Sequence, residues 1–294
     1  MSTAHDRDNV VVSAICFMVL SMACFSLMNV FIRYSATDLH TTQIVFLRNL
    51  FSLLILLPWV LRSGSVVLKT ERMWGHFWRG TVGMMGMQLW FYSIAILPMN
   101  EATALSLTAP IFATIVAIVW LGERAGIHRW SAIIIGCVGA LIVIRPSPDN
   151  MNWNMLIVPC ATFLWAIAGT LVKTLTKTEP PNRIVFYMAF FMTLWSLPPA
   201  LYYWKTPGME LIALTFAVAL ASTAAHAFLV RAYASADMVL LMPFDFFRLV
   251  FTAIFAYAAF HEVADMWTWV GGAVIVSSAA YIAHREALKK RKAL

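Results

Sequence analysis

Ten runs of apolar residues, cut from one another by charged clusters, follow in succession along the 294-residue chain. They fall at 10–32, 41–61, 79–97, 101–121, 129–145, 153–173, 184–204, 210–230, 237–260 and 266–284. About 20 such residues cross the hydrocarbon core of a bilayer as a helix, and lipid offers no partner to backbone groups left unbonded. The expected fold class is an all-α membrane protein of ten transmembrane helices, with almost nothing left for a soluble domain. The 129–145 run is short and needs Arg129 and Arg145 to snorkel at its ends. A composition of 61% hydrophobic and 12% charged residues agrees, lying far from that of a soluble domain. The first run is too long for a signal-peptide core and no A-x-A site follows it, so it is read as a retained helix.

The net charge of +7 would suit nucleic acid only on a soluble fold with a basic face, so no nucleic-acid partner is expected. Position explains it better. With the N-terminus in the cytoplasm, sixteen Lys and Arg of the tails and connections lie inside, and Arg33, Arg145 and Lys205 lie outside. The positive-inside rule then puts both termini in the cytoplasm, with the tail HREALKKRKAL on the lipid headgroups of an inner (plasma) membrane. Cys16, Cys24, Cys137 and Cys160 all lie inside apolar runs without a CxxC pair and read as small core hydrophobes.

Residues 89–144 and 228–283 share a plan: a small-residue turn, a long apolar helix ending in Glu, a short polar link, Trp, then a Gly/Ala-rich helix. Glu123 matches Glu262 and Trp130 matches Trp269 at one offset, 139 residues. Halves of five spans each, an odd number, must insert with opposite orientation. The chain therefore divides into 1–148 and 149–294, two inverted five-helix repeats of the kind on which many secondary transporters are built.

FLRN (46–49), TAPIF (108–112), LGER (121–124) and the weaker FHEV (260–263), set in this layout, resemble the EamA-type branch of the drug/metabolite transporter superfamily. The likeness covers nearly the whole chain. Within that branch, LMPFDFFRLVFTAIFAY and LPMNEATALSLTAP are similar to the S-adenosylmethionine uptake group. The resemblance implies a central cavity lined chiefly by spans 1, 3, 4, 6, 8 and 9. Substrates of such carriers range over amino acids, nucleobase-containing metabolites, vitamins and drugs. His261 stands where the first half has Gly122, so the second signature is degenerate.

Asp245 and Arg248 sit inside the ninth span. Burying both costs roughly 5–7 kcal/mol on insertion scales, against a gain of roughly 4–7 kcal/mol from the apolar residues around them. Such charges must face protein or water, and the i, i+3 spacing lets them pair. Pro243 denies a backbone hydrogen bond nearby and favours a break in the helix. Two readings stand: a packing ion pair, or an Arg248 that trades Asp245 for a substrate carboxylate or phosphate.

Other interior polar residues carry a functional and a bland reading each. Arg48 attracts an anion or snorkels to outer headgroups; Glu101 recruits a cation or complements a helix N-terminus. Gln88, Trp90, Tyr92, Trp165, Phe244 and Phe247 form an aromatic box or only pack. His226, the one mid-span histidine, relays protons or packs. Gly80, Gly83, Gly86, Gly136, Gly139, Gly271 and Gly272 let helices approach closely. Catalysis is not expected: Asp245 is the only deep aspartate, and neither a GxSxG elbow nor HExxH is present. No cofactor and no metal are called for. The expected protein is a secondary transporter of a small organic metabolite, amino-acid-like or S-adenosylmethionine-like, working by alternating access. A coupling proton or ion, and a monomer or homodimer, are left open. The alternatives are a structural or assembly subunit and an exporter of cationic aromatic compounds.

Overall fold

The structure is a computed structural model and describes residues 4–63, 68–121, 127–145, 152–175, 178–235 and 241–292. Helix without strand fills the described residues. In chain order the first half contributes α1 (Ala4–Ser35), α2 (Thr41–Ser63), α3 (Met73–Ile96), α4 (Met99–Ser106), α5 (Ala109–Leu121) and α6 (Ile127–Ile144). The second contributes α7 (Ile157–Leu175), α8 (Pro181–Tyr202), α9 (Met209–Ser235), α10 (Phe247–Phe260) and α11 (Met266–Lys292). Single 3₁₀ turns precede α7 (Trp153–Leu156) and α10 (Met242–Phe246).

Among the described residues, six stretches are long and apolar enough to cross a membrane: Val12–Ser35, Thr41–Pro58, Met99–Trp120, Trp153–Val172, Arg183–Tyr202 and Met209–Leu229. Trp130–Ile144 is a shorter apolar helix. Helix and apolar run do not share boundaries. α3 begins at Met73 instead of 79, and α11 runs on through HREALKKRK, whose Lys, Arg, Ala and Leu are good helix formers in water as in lipid.

The single helix expected over 101–121 is broken at Leu107–Thr108. Pro110 has no N–H to give to the Ser106 carbonyl, so the ladder stops there. Hydroxyls fill the gap. Thr108 Oγ1 donates to the Leu105 carbonyl at 2.7 Å, and Ser106 Oγ to that of Thr103 at 2.7 Å. The ninth run shows the related feature, a 3₁₀ turn beginning just before Pro243 that passes into α10 at Phe246–Phe247. At the repeat offset of 139 residues, Leu107–Thr108 corresponds to Phe246–Phe247. Both discontinuities thus fall at one place in the plan.

The two halves interlace. α1 packs on α9 and α3 on α7; α1 packs on α10 and α5 on α7; α3 packs on α8 and α2 on α9. Each of these pairs becomes its companion when the halves are exchanged, while α2 with α8 and α6 with α11 map onto themselves. The tightest core joins the C-terminal ends of α1 and α3 to α4 and the start of α2. There Ile32, Ile44, Ile94, Leu97 and Leu105 are fully buried. α6 and α11 meet where a Cβ on Gly271 would lie 2.7 Å from the Gly139 carbonyl oxygen, so glycine is required for that crossing.

Candidate functional site

The discontinuity falls between Asp245, in the 3₁₀ turn, and Arg248, in the first turn of α10. Arg248 Nη2 lies 3.8 Å from Asp245 Oδ2, a loose pair with side chains 17% and 30% exposed, and Arg248 Nε has no partner. The backbone beside it is held firmly. Thr103 donates to Thr252 (3.4 Å), Thr252 to Ser26 (3.0 Å), and Ser26 to the Arg248 carbonyl (2.9 Å), so hydroxyls tie α4, α10 and α1 together. Phe244 and Phe247 stack with centroids 6.2 Å apart.

Arg48, on α2, is only 9% exposed. Its Nη1 donates to Asn49 Oδ1 at 2.8 Å and approaches the Met87 sulfur, and its Nη2 donates to Ser222 Oγ on α9. One turn further along α9, His226 Nδ1 donates to the Ser222 carbonyl at 2.8 Å, and its ring meets that of Phe25 edge-on. His226 is exposed although it shares a helix face with the buried Thr215, Ala219 and Ser222. Phe216, Leu220, Thr223 and Ala227 make the outward face, which lies beside the stripe that carries His226.

The remaining expected site residues separate. Trp90 and Trp165 touch, centroids 5.6 Å apart, with Gly86 giving room for the Trp165 indole. Gln88 Nε2 donates to Thr41 Oγ1 at 3.0 Å. Tyr92 lies on the outward face of α3 with Trp78 and Met85, away from the Trp90–Trp165 contact. Phe244 and Phe247 belong to the α10 region, so the six residues do not make one box. Glu101 is in the first turn of α4, 3.9 Å from Arg145, and lines a cleft of about 220 Å³ with Asn100, Glu262, Asp265 and Thr268.

Polar bonds cross between halves at both ends of the bundle, and at the end marked by that cleft they include ion pairs. Arg33 Nη1 pairs with Glu262 Oε1 at 2.6 Å, and Glu262 Oε2 accepts the Met99 N–H at 3.0 Å. Arg145 pairs with Asp265, and Lys205 with Asp38 at 3.7 Å. At the other end, Glu179 accepts from Thr70 Oγ1 at 2.5 Å and from Arg183 at 2.7 Å, and the Tyr187 hydroxyl donates to the Leu68 carbonyl.

Burial pushes the Asp265 and Glu179 carboxyls up, but their hydrogen bonds and the neighbouring Arg145 or Arg183 outweigh it, and both sit below the usual carboxylate range. A depressed pKa adds stability above the unfolded value, near 4, and loses it as pH falls through the folded one. Thermal unfolding followed from pH 6 to pH 3 should show Tm falling below about pH 4. In Asp265→Asn combined with Glu179→Gln that fall should be shallower; an identical slope would mean these carboxylates carry none of the acid sensitivity.

Sequence reasoning passed over Arg79, taken as a charge at the membrane edge, and over the acceptor and donor roles of Ser26, Ser222 and Thr252. Arg79 lies nearly two turns inside α3. The aromatic run Trp74, Phe77, Trp78 was the available signal, because such rings mark the interface and place Arg79 beyond it.

Residues 12–145 and 152–283 each match the EamA-like transporter family. The chain belongs to that family. This EamA-like chain is 30% identical over 282 residues to an S-adenosylmethionine uptake transporter of Rickettsia prowazekii (strain Madrid E), with 96% of each chain covered. It is also 30% identical over 294 residues to a riboflavin transporter of Rhizobium johnstonii (strain DSM 114642 / LMG 32736 / 3841), covering 99% of this chain and 97% of that one. A crystal structure of a protein 14% identical shares the fold, with a TM-score of 0.61 over 95% of this chain and 98% of that one. The EamA-like chain is thus a multi-pass membrane protein of a transporter family, with one family repeat in each half.

Proposed function

We propose that this chain is a secondary transporter that carries a small organic metabolite, amino-acid-like or S-adenosylmethionine-like, across the inner membrane by alternating access. The working unit is ten membrane-crossing segments arranged as two inverted five-helix halves, 1–148 and 149–294, with both termini in the cytoplasm. The observation that carries this reading is the pairing of α10's loose Asp245–Arg248 contact with a discontinuous helix. A charged pair held at 3.8 Å and open to a space can exchange partners, giving a substrate different contacts in different states. A zwitterion satisfies both members at once, its carboxylate on Arg248 and its cationic group on Asp245.

The interlaced packing and the matching discontinuities support the inverted arrangement, because exchange of halves preserves each helix pairing described above. The cross-half bonds around Arg33, Glu262, Arg145 and Asp265 then close the periplasmic side. Two relatives lend the substrate class, one named for S-adenosylmethionine and one for riboflavin. The arginine favours the first; the Trp90–Trp165 pair favours a flat ring such as the second.

Proteoliposomes loaded with the purified chain should take up radiolabelled S-adenosylmethionine or riboflavin, and Arg248→Ala should reduce uptake of the acid-bearing substrate at least tenfold. Uptake of neither compound, nor of any amino acid, above protein-free vesicles would overturn the metabolite reading. Full uptake by folded Arg248→Ala would remove the α10 pair from the site.

A further inference from the structure

Three arginines reach into the bundle, Arg48, Arg79 and Arg248, and among the described residues only Arg248 has a carboxylate within ion-pair distance. Arg48 is nine-tenths buried, and Asn49, Ser222 and the Met87 sulfur are all neutral. Arg79 Nη2 lies 3.1 Å from the Met188 sulfur of α8, while its Nη1 rests against Gly83. The Nε of each has no partner. A guanidinium withdrawn from water without a counter-charge is among the costliest groups a membrane protein can hold, and such residues mark substrate or ion paths.

Snorkelling does not account for Arg79. The headgroups nearest to it lie toward the Met73 end of α3, yet its guanidinium turns the other way, one turn deeper, onto Gly83. Met87, against which Arg48 lies, is the next residue on the same stripe. Gly83 and Met87 are one turn apart, about 6 Å of axial rise, so the two guanidiniums meet α3 at successive positions of one stripe. A side chain on Gly83 would fill the place where the Arg79 nitrogen lies. His226, one turn from the Ser222 that Arg48 bonds, stands within electrostatic reach of both arginines.

We propose that Arg48 and Arg79 form an oxyanion-binding site on the Gly83–Met87 stripe of α3, which takes the carboxylate or phosphate of a metabolite this chain carries. Unlike Arg248, which must release Asp245 to accept an anion, these two have nothing to release. Residues on α1 link the regions, since Phe25 packs on His226 and Ser26 bonds the Arg248 carbonyl. The occupant rests on the transporter reading; the anion chemistry does not.

The test uses the full chain purified in neutral detergent, its thermal unfolding followed with inorganic phosphate, acetate or S-adenosylmethionine at constant ionic strength. A saturable rise in Tm of several degrees is expected for the parent and for Arg248→Gln. It should be lost in Arg48→Gln and Arg79→Gln, whose anion-free Tm should match or exceed the parent's because an unpaired buried charge is gone. Arg79, the less buried of the two, keeps the test decisive where Arg48→Gln does not fold. An unchanged rise in both variants, or no rise in the parent with any of the three probes, overturns the site. A rise confined to nanodiscs of phosphatidylglycerol, absent with soluble anions and with phosphatidylcholine, would place a lipid headgroup there and overturn the metabolite occupant. Anion binding without uptake in proteoliposomes would sink the transport reading and leave the site standing.

Discussion

Gly271→Leu should cost more than about 3 kcal/mol of stability and lower Tm by on the order of 5–10 °C, if folded protein is recovered at all. The reason is what surrounds the position. A Cβ there would lie 2.5 Å from Val143 Cγ2, 2.7 Å from the Gly139 carbonyl oxygen and 3.2 Å from the Val143 nitrogen. Two of those three atoms are backbone of α6, which cannot rotate aside as a side-chain tip would. Gly139 meets α11 in the same way, its added Cβ lying 3.0 Å from the Gly271 oxygen. Nothing lies within 4 Å of a Cβ on Gly169, so Gly169→Ala should be neutral or stabilising by up to about 1 kcal/mol through helix propensity. Thermal unfolding of the two variants side by side separates the crossing from a general intolerance of larger residues. Equal Tm values would show that α6 and α11 can slide apart freely.

Glu262→Ala should loosen the Arg33 end of the bundle. Its carboxylate ties α1 through Arg33 and the start of α4 through the Met99 N–H, two bonds that both cross between halves. Removing it leaves the Arg33 guanidinium without its counter-charge, though still bonded to the Leu97 carbonyl, and the Met99 N–H unsatisfied, together about 1–3 kcal/mol, or roughly 5- to 150-fold in the balance between the closed and open forms of the proposed alternating access. Asn100, 2% exposed beneath this cluster, reports the change. With the native cysteines replaced, Asn100→Cys should be nearly inert to a membrane-impermeant maleimide in the closed form and labelled at least fivefold faster with Glu262→Ala. A lower Tm with no gain in labelling would mean that Glu262 supports the fold and is not part of a gate.

The α-helical class was legible because lipid imposes it, through long apolar runs with charges set between them, and the two family repeats because their motifs recur at one offset. What the sequence withheld lies where backbone and hydroxyls settle accounts locally. TAPIF was visible as a motif, but at the break at Leu107–Thr108 the hydroxyls of Ser106 and Thr108 bond the carbonyls of Thr103 and Leu105, and hydroxyl geometry leaves no periodic trace. Asp245 and Arg248 were found from spacing alone; that they stand 3.8 Å apart instead of locked together could not be. Arg48 left two readings open, and only its buried position against Ser222, from a helix far along the chain, sets it away from the headgroups. Arg79 was hidden by its nearness to Lys69 and Arg72, which made one charged cluster of what the fold divides in two.

Interlacing also has a consequence in time. Ser21 donates to the Ala225 carbonyl and Ser26 to that of Arg248, partners 204 and 222 residues further along. At synthesis rates of about 5–20 residues per second, α1 waits roughly 10–40 s in the bilayer before α9 exists to receive it. During that interval the buried hydroxyls of Ser21 and Ser26 lack the carbonyls they bond in the finished bundle. Assembly of the bundle is therefore a late event, completed after most of the polypeptide has left the ribosome. Anything that holds nascent α1 from straying, a translocon or an insertase, should govern the yield of folded protein more than the stability of the finished bundle does.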